Sequence, residues 1–436
     1  MTQGTEILLH YVWKHKLFPL GGLCTLDGLP VEVIDTGLHN SDAGPDFFNA
    51  KVRIGNQVWA GNVELHLKSS QWYLHGHHKD SAYDNVVLHV VCEADSEVRN
   101  SCGEPIPQTV LAIPETIKSN YEHLLSEDKY PRCFRIIPSL PKLTLHSWLS
   151  ALQTERLERK TEDILRRVNL CNGSWEDAFF QTLARNFGFG VNTEAFETWA
   201  QHVPLKAVDH HRDDVFQIES FFLGQAGLLS EGAYPERHRS AVAADDYFVR
   251  IKNEYNYLAH KFSLQPMDST LWRFLRLRPQ NFPTVRLSQL ANLYYSRKAD
   301  FSRILECTSI DQTADALQTQ ATEYWQTHYL FGEPSRHNDK RLSRTSVNLL
   351  LINTVIPIIF AYGKYTSGTA MMNRALDLME ELKAEDNNIV RMWRECGLDV
   401  NSASDSQALI QLKKEYCDRK DCLRCRIGYH YLKKNG

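Results

Sequence analysis

The sequence predicts an α/β domain built on a mixed sheet, followed by a larger and mostly α-helical region. Alternating apolar and polar residues, which are typical of β-strands, dominate residues 1–136, whereas apolar residues at helical spacing dominate residues 145–436. Residues 137–144 contain two prolines, which is typical of a linker. A chain of 436 residues is long enough for two or three domains.

The N-terminal domain is predicted to begin with a helix and to continue with strands. Residues 6–17 have apolar side chains at helical spacing. Three alternating segments follow, then a short helix or loop at residues 77–85, then a longer apolar run that suits a strand buried on both faces. The predicted strands are residues 29–37, 50–55, 62–69 and 85–94, with a further candidate at 107–113.

The second domain is predicted to consist of helices. Residues 347–363 form its most apolar run, which is short for a membrane span and contains Pro357. This run therefore favours a buried core helix that is broken near the proline. The other predicted helices include residues 145–169, 175–188, 246–260, 288–295, 312–325, 369–383 and 406–416.

Charge and cysteine content limit the class of protein. The net charge is −4, from 49 basic and 53 acidic side chains, which excludes a globally basic nucleic-acid coat and leaves room for a local basic groove. Glu6, His10 and Lys14 interrupt the apolar residues of the N-terminus, so no secretion signal is predicted. The ten cysteines are mostly scattered, unlike those of a disulfide scaffold. We therefore expect a soluble, cytoplasmic protein that does not bind a membrane.

Residues 44–70 carry the most specific chemical pattern. Side chains alternate along a strand, so Glu64, His66 and Lys68 share one face of the predicted strand 62–69. If this strand forms a hairpin with the preceding one, Asp46 lies close to Glu64. Two neighbouring carboxylates repel one another, and Mg²⁺ (or Mn²⁺) relieves that repulsion. Such an ion polarises a phosphate oxygen and activates water, with Lys68 or His66 as the adjacent cationic or proton-donating group.

These residues resemble the motif of the PD-(D/E)XK superfamily of nucleases. The matching residues are Pro45-Asp46, then Glu64-Leu65-His66, with Lys68 two positions further on. His66 stands where this superfamily usually has lysine, and Lys68 on the same face is the natural substitute.

The resemblance implies a restriction-endonuclease-like core of helix, three strands, helix and strand within roughly residues 1–115. It implies that Asp46 and Glu64 are metal ligands, with the carbonyl group of Leu65 assisting and Glu6 contributing from the first helix. The implied function is metal-dependent cleavage of phosphodiester bonds in DNA or RNA. The alternatives are a nuclease-like protein that binds nucleic acid or serves as a scaffold without cleavage, and an ordinary solvated sheet face.

The whole chain also resembles an uncharacterised bacterial family of unknown function. The resemblance lies in stretches such as GPDFFNAKV, GNVELH and RPQNFPTVRLSQLA. It implies no particular activity.

A second polar cluster follows the strand that carries Glu64. The segment WYLHGHHKDSAYDN contains His75, His77, His78 and two aspartates. Because histidine transfers protons near neutral pH and binds transition metals, His75 or His77 is a candidate to contact the scissile phosphate. The alternatives are an independent zinc site, in an enzyme acting on a substrate other than nucleic acid, and a solvated loop.

A third pattern places arginines among aromatic residues between positions 272 and 286. Arginine beside aromatic rings suits phosphate contact and base stacking, and arginine stems that cover a core are the alternative. The candidate nucleic-acid-binding residues are Arg273, Arg276, Arg278 and Arg286.

The C-terminal region has three closely spaced cysteines. Cys417, Cys422 and Cys425 follow the pattern C-x4-C-x2-C, which favours zinc or an iron–sulfur cluster in an intracellular protein. Zinc requires a fourth ligand, for which His430 and Cys396 are candidates. Some nucleases of the superfamily named above carry a cysteine-bound iron–sulfur cluster, with a different spacing. Reduced thiols on a basic terminal helix are the alternative.

Overall fold

The structure, a computed structural model, describes residues 2–19, 21–40 and 42–434, and the side chains from residue 5 onward within those ranges. The chain divides into two compact units. Unit 1 comprises Met1–Lys142 and Lys414–Gly436, and unit 2 comprises Leu143–Lys413. The mixed sheet in the N-terminal part and the mostly helical remainder confirm the coarse fold class that the sequence predicts.

Unit 1 is built around a mixed sheet. Its strands are β1 (Val31–Asp35), β2 (Leu38–His39), β3 (Phe47–Ile54), β4 (Gln57–Lys68), β5 (Val86–Glu93) and β6 (Gln108–Val110). The main path through the sheet is β1-β3-β4-β5-β6, and β2 pairs with β3. Strand β3 is antiparallel to both β1 and β4, whereas β4, β5 and β6 run parallel to one another.

Helices cover this sheet. The first is α1 (Thr2–Lys14), and the segment after β4 forms the short helix α2 (Gln71–Leu74); α3 (Glu115–Ser126) follows β6. Alternation along β4 sends its apolar side chains towards α1 and leaves Glu64 and His66 on the other face, where both are buried. The core beneath α1 includes Leu8, Leu9, Val12, Trp13, Val63 and Leu65.

Unit 2 consists of helices and one short two-stranded ribbon. The ribbon pairs β7 (His328–Leu330) with β8 (Glu333–Pro334). The helices, in chain order, are α4 (Lys142–Leu170), α5 (Trp175–Phe187), α6 (Thr193–His202), α7 (Leu205–Asp209), α8 (Val215–Gln225), α9 (Glu236–Ala243), α10 (Asp246–Phe262), α11 (Pro283–Tyr295), α12 (Phe301–Glu306), α13 (Ile310–Leu317), α14 (Glu323–Gln326), α15 (Arg344–Leu350), α16 (Ile356–Tyr365), α17 (Thr369–Glu381), α18 (Asn388–Glu395) and α19 (Ala403–Gln411).

The most apolar run forms a continuous helix from Arg344 to Tyr365. A π-helical segment, Leu351–Val355, joins α15 to α16 immediately before Pro357, which has no amide hydrogen to donate. By length and composition, this is the one helix among the described residues that is able to cross a membrane, and 72% of its apolar window is buried inside the protein.

The predicted helix at residues 312–325 is interrupted. Helix α13 ends at Leu317 and α14 begins at Glu323. Between them, Ala321 N donates to Asp339 O (3.1 Å) and Thr322 N donates to Ser288 Oγ (2.9 Å). Hydrogen bonds to distant parts of unit 2 therefore replace the local helical ones.

The C-terminal segment differs from the division inferred from the sequence, which assigns residues 145–436 to one helical domain. Helix α20 (Arg426–Lys433) belongs to unit 1. Asn120 Nδ2, on α3, donates to Leu432 O (3.0 Å) and Lys434 O (2.9 Å), and Leu432 is buried in the core beneath α1. The apolar face of α20 is thus buried against unit 1.

Candidate metal centre

The pairing of β3 with β4 places Asp46 beside Glu64. Phe47, the first residue of β3, lies opposite Val63. Asp46 N donates to Glu64 Oε2 (3.0 Å), and Leu65 N donates to Asp46 Oδ2 (2.9 Å). Each carboxylate is therefore fixed by a backbone amide next to the other, while Glu64 Oε1 is left to face a different set of groups.

Burial makes it unfavourable for Asp46 and Glu64 to be ionised at the same time. Loss of solvent raises the pKa of Glu64, and the charges of Asp46 and Glu6 raise it further. Burial also raises the pKa of Asp46, against the opposing effect of the Leu65 amide and nearby histidines. In the absence of a cation, we expect the pair to retain a proton at neutral pH.

Three histidines cluster beside Glu64, and two of them lie close to its Oε1 atom. His77 Nε2 lies 3.2 Å from this oxygen, and His66 Nε2 lies 3.5 Å from it. His75 Nδ1 lies 3.1 Å from His66 Nε2. The ligand atoms of the three histidines all lie within 4.8 Å of one another.

These separations match the edges of a metal coordination shell. Bonds of 2.0–2.1 Å from a metal to nitrogen or oxygen separate neighbouring ligand atoms by about 2.9 Å in an octahedron and about 3.3 Å in a tetrahedron. The three measured separations, 3.1, 3.2 and 3.5 Å, are close to these values. The three imidazole nitrogens therefore lie close enough together to bind one ion, and the Glu64 carboxylate lies beside two of them.

The segment after β4 folds so that His75 and His77 face the same point. Ser70 is tied down by Asp95, whose carboxylate accepts from Ser70 N and Ser70 Oγ at 2.8 Å each. Helix α2 follows, and Gly76 then turns the chain with φ of 81°, a conformation that glycine adopts without strain. Because Gly76 separates the two histidines, the turn brings the second ring back towards the first.

Aromatic rings fix the orientation of His77. Its ring stacks on Tyr83 with centroids 3.8 Å apart and meets the edge of Trp72 at 5.3 Å. His77 Nε2 is buried and makes no hydrogen bond of acceptable geometry to the residues that the structure describes, although Glu64 Oε1 lies 3.2 Å away. A buried nitrogen that makes no hydrogen bond is costly, so a cation bound between these two atoms would remove that cost.

His66 is held by a further histidine on β5. His66 Nδ1 lies 2.9 Å from His89 Nε2, and His89 is buried. A proton on His66 Nδ1 donates to His89 and leaves the lone pair of His66 Nε2 facing Glu64 and His75. Burial and the neighbouring histidines hold the pKa of His66 far below its usual value, and burial lowers that of His89 to about 4. Both rings are therefore neutral, as metal ligation requires.

Two residues of the predicted site lie outside this convergence. Lys68 Nζ pairs with Glu93 Oε2 at 2.9 Å, and both side chains are exposed. Glu93 is the neighbour of Lys68 in the parallel pairing of β4 with β5, so the lysine side chain extends across to the neighbouring strand. The charge of Glu6, on α1, raises the pKa of Glu64.

The predicted nucleic-acid-binding arginines all lie in unit 2, whereas the histidine cluster lies in unit 1. Arg273, Arg276 and Arg278 are exposed. Arg286 is buried; it donates to Asn281 and Gln289 within its own unit, and its guanidinium lies 4.4 Å from the centre of the Phe189 ring. Arg286 therefore fits the alternative hypothesis, in which the arginine packs in the core and does not contact nucleic acid.

The sequence analysis missed two histidines next to the centre. His89 interrupts the apolar run of β5, and a titratable residue inside a strand buried on both faces is a signal that deserved a prediction. His10, on α1, lies with Nε2 3.5 Å from Asp46 Oδ2. The latter contact depends on the packing of α1 and has no signal in the local sequence.

Comparison with known proteins gives a family and no relative of assigned activity. A family described as "Protein of unknown function (DUF2851)" matches residues 6–388. The match includes every residue of the histidine and carboxylate cluster. No curated protein and no solved structure matches the chain.

Proposed function

Because this chain belongs to the DUF2851 family, whose description assigns no activity, we propose a function from its own site: a metal-dependent phosphodiesterase that acts on nucleic acid. The observation that supports the proposal is the convergence of Glu64 Oε1 and the ligand nitrogens of His66, His75 and His77 beside the Asp46 carboxylate.

The donor set favours Mn²⁺ or another transition metal over Mg²⁺. Imidazole nitrogen suits transition metals, whereas Mg²⁺ prefers oxygen ligands and retains its water. Glu64 and the three histidines would hold such an ion and would leave part of its coordination shell to water or substrate. His75 is exposed, so the open side of the centre faces solvent, where a phosphate group has access.

The order of elements supports phosphodiester as the substrate class. Helix α1, the three long strands β1, β3 and β4, helix α2 and strand β5 follow one another as in the PD-(D/E)XK core. Asp46 adjoins the second of these long strands and Glu64 lies on the third, which are the places of the metal-binding acids in that superfamily. Under this proposal, His66 is a metal ligand in the position that lysine usually occupies.

The residues of the site would have separate roles in the reaction. A metal held by Glu64 and the three histidines would supply Lewis acidity, which would polarise a phosphate oxygen and lower the pKa of bound water. Asp46 has a raised pKa and a side chain that is 22% exposed, so it is suited to accept a proton from the attacking water near neutral pH. His89 holds His66 in the tautomer that points Nε2 at the ion.

The three exposed arginines of unit 2 are the proposed contacts to the phosphate backbone. Replacing Arg273, Arg276 and Arg278 together by alanine should weaken binding to DNA and RNA and make it less dependent on salt, since each lost phosphate contact reduces the slope of log K against log salt by about 0.7–0.9. Unchanged affinity and slope in the triple variant would remove these residues from the binding surface.

Cleavage assays test the proposal. The purified protein should cleave single-stranded, double-stranded or branched DNA, or RNA, in Mn²⁺, and a chelator should stop the reaction. His77→Ala should abolish cleavage. The matched control is His78→Ala: His78 is the next residue along the chain, its ring contacts Tyr73, and it lies outside the cluster, so cleavage should persist.

Metal binding and cleavage are scored separately. If the ion binds and His77→Ala releases it, yet no nucleic acid is cut, the phosphodiesterase proposal fails and the metal centre stands. Hydrolysis of a non-nucleotide ester would then favour the alternative of an enzyme that uses the histidines on a substrate other than nucleic acid. If no divalent ion binds, both parts of the proposal fail.

A further inference from the structure

A second candidate metal site lies in the C-terminal segment of unit 1. Cys417 ends a π-helical segment, Cys422 begins a single 3₁₀ turn, and Cys425 is the residue before α20. Backbone hydrogen bonds fold these residues into one compact loop: Lys420 N donates to Cys417 O (3.1 Å), and Cys425 N donates to Cys422 O (3.2 Å).

A fourth cysteine joins them from a distant part of the chain. Cys133 lies in the turn that follows α3, where Phe134 N donates to Pro131 O (2.9 Å). In the same turn, Tyr130 Oη donates to Asp418 Oδ1 (3.1 Å), which ties the turn to the residue after Cys417.

The four thiols act on one another electrostatically. Burial raises the pKa of Cys133, and negative charge on Cys425, Cys417 and Cys422 raises it further. Burial likewise raises the pKa of Cys417 to about 12 and that of Cys422 to about 11, with Cys425 as the next cause for each. All four are free of disulfide bonds. Without a cation, the thiols of Cys133, Cys417 and Cys422 are therefore held in the protonated form.

The surroundings favour thiolate once a cation is present. Cys425 is buried at the N-terminus of α20, where the helix dipole favours negative charge. The positive charge of Arg132 lowers the pKa of Cys422 against the effect of burial. Gly428 lets α20 approach the loop closely, since a Cβ there would lie 2.0 Å from Cys422 O.

We propose that Cys133, Cys417, Cys422 and Cys425 bind a thiolate-coordinated metal, either one zinc ion or one iron–sulfur cluster, as a four-cysteine centre. Both groups take four thiolates, and both bind as the thiols release their protons. Cys133 would be the fourth ligand, in place of His430 or Cys396, which were the candidates from the sequence.

The proposed metal centre would cross-link the two segments of unit 1. Unit 1 is assembled from two segments, Met1–Lys142 and Lys414–Gly436, with the whole of unit 2 inserted between them. A metal bridging Cys133 to the three C-terminal cysteines closes that long loop, which favours the folded state. Metal loss should therefore release the C-terminal segment while the sheet of unit 1 remains folded.

The test is metal and thiol analysis of the full-length protein purified without oxygen. A zinc centre should give one zinc per chain that a mercurial reagent releases, and replacement by Co²⁺ should give a sulfur-to-cobalt charge-transfer band. An iron–sulfur cluster should give iron, acid-labile sulfide and visible absorption that dithionite bleaches. Either result supports the four-cysteine centre, and the histidine centre of the same unit gives none of these sulfur signatures.

Single variants identify the ligands. Cys133→Ser and Cys422→Ser should each lose the sulfur-bound metal, and the C-terminal segment should become sensitive to protease. Cys92→Ser is the matched control, since Cys92 is a partly buried thiol of unit 1 whose raised pKa has burial as its only cause. His430→Ala should retain the metal.

Two results would overturn the proposal. One is wild-type protein without sulfur-bound metal, whose four thiols react with a thiol reagent under native conditions as fast as Cys92. The other is retention of the full complement of metal in Cys133→Ser. Should Cys133→Ser fail to fold, the wild-type thiol count decides, and Cys133→His, which keeps a zinc ligand, should restore folding and metal together if the ion is zinc.

Discussion

Replacing Glu64 by glutamine separates the metal-binding role of this residue from its role in stability. In the metal-free protein, burial and the charges of Asp46 and Glu6 raise the pKa of Glu64, so the folded pair retains a proton that the unfolded chain has released. A folded state that binds one more proton than the unfolded state loses stability as pH rises, by about 1.4 kcal/mol per pH unit. This loss operates above the ordinary glutamate pKa of about 4.3 and ends at the raised pKa of the folded state.

Glutamine keeps the hydrogen bond from Asp46 N and removes the charge. Between pH 7 and pH 8, the metal-free wild type should therefore lose about 1.4 kcal/mol relative to Glu64→Gln, or roughly 3–6 °C in thermal midpoint. His66 and His77 do not contribute in this window: their pKa values are lowered, so the stability they confer is lost only as pH falls below about 6.5.

The assay is denaturant and thermal unfolding of both proteins in chelator and in Mn²⁺, at the two pH values. With the ion at about 100 times its dissociation constant for the wild type, the wild type should gain about 2.7 kcal/mol and Glu64→Gln, which keeps only the histidine ligands, markedly less. Equal pH slopes for the two metal-free proteins would refute the shared proton, and equal stabilisation by Mn²⁺ would refute Glu64 as a ligand.

Three further substitutions test the histidine centre, the cysteine loop and the core around Arg286. His89→Ala should weaken metal binding about 10–100-fold without moving the ion, because His66 loses the partner that orients it, and a competition titration in which affinity is unchanged would contradict this. Gly428→Ala should lower the free energy of unfolding by about 1–3 kcal/mol or more, since its Cβ would overlap Cys422 O, and an unchanged denaturant midpoint would argue against that close approach. Arg286→Leu should cost roughly 1.5–3 kcal/mol, because the buried Gln289 amide and the partly buried Asn281 amide lose a charged donor. The salt dependence of nucleic-acid binding should stay unchanged, and a reduced salt slope would instead return this arginine to the binding surface.

Local periodicity predicted the parts of the fold that depend on neighbouring residues. The helical spacing of α1 and the alternation of β4 lead directly to a core on one face of the sheet and to Glu64 and His66 on the other. The family match confirms the expected membership of an uncharacterised family. Alternation says nothing about where a long side chain ends, however, and Lys68 instead reaches across to Glu93 on the neighbouring strand.

Contacts between distant segments had no signal in the sequence. Cys133 and Cys417 are separated by all of unit 2, so the spacing of the C-terminal cysteines could not indicate Cys133 as the proposed fourth ligand. The position of α20 was hidden for the same reason: its helical pattern is visible, whereas its docking on α3 through Asn120 is a tertiary contact. The carboxylates of residues 44–70 suggested an oxygen-ligated ion, and the histidines of the following loop change the expected ion because the chain folds back on itself at Gly76.

Anomalous diffraction from crystals of the Mn²⁺-loaded protein tests the central claim most directly. It should give a peak within bonding distance of Glu64 Oε1, His66 Nε2, His75 Nδ1 and His77 Nε2, and that peak should be absent from crystals of His77→Ala. A density map without a peak at this point, or with the ion bound only by the carboxylates of Asp46 and Glu6, would contradict the histidine-ligated centre on which the proposed activity depends.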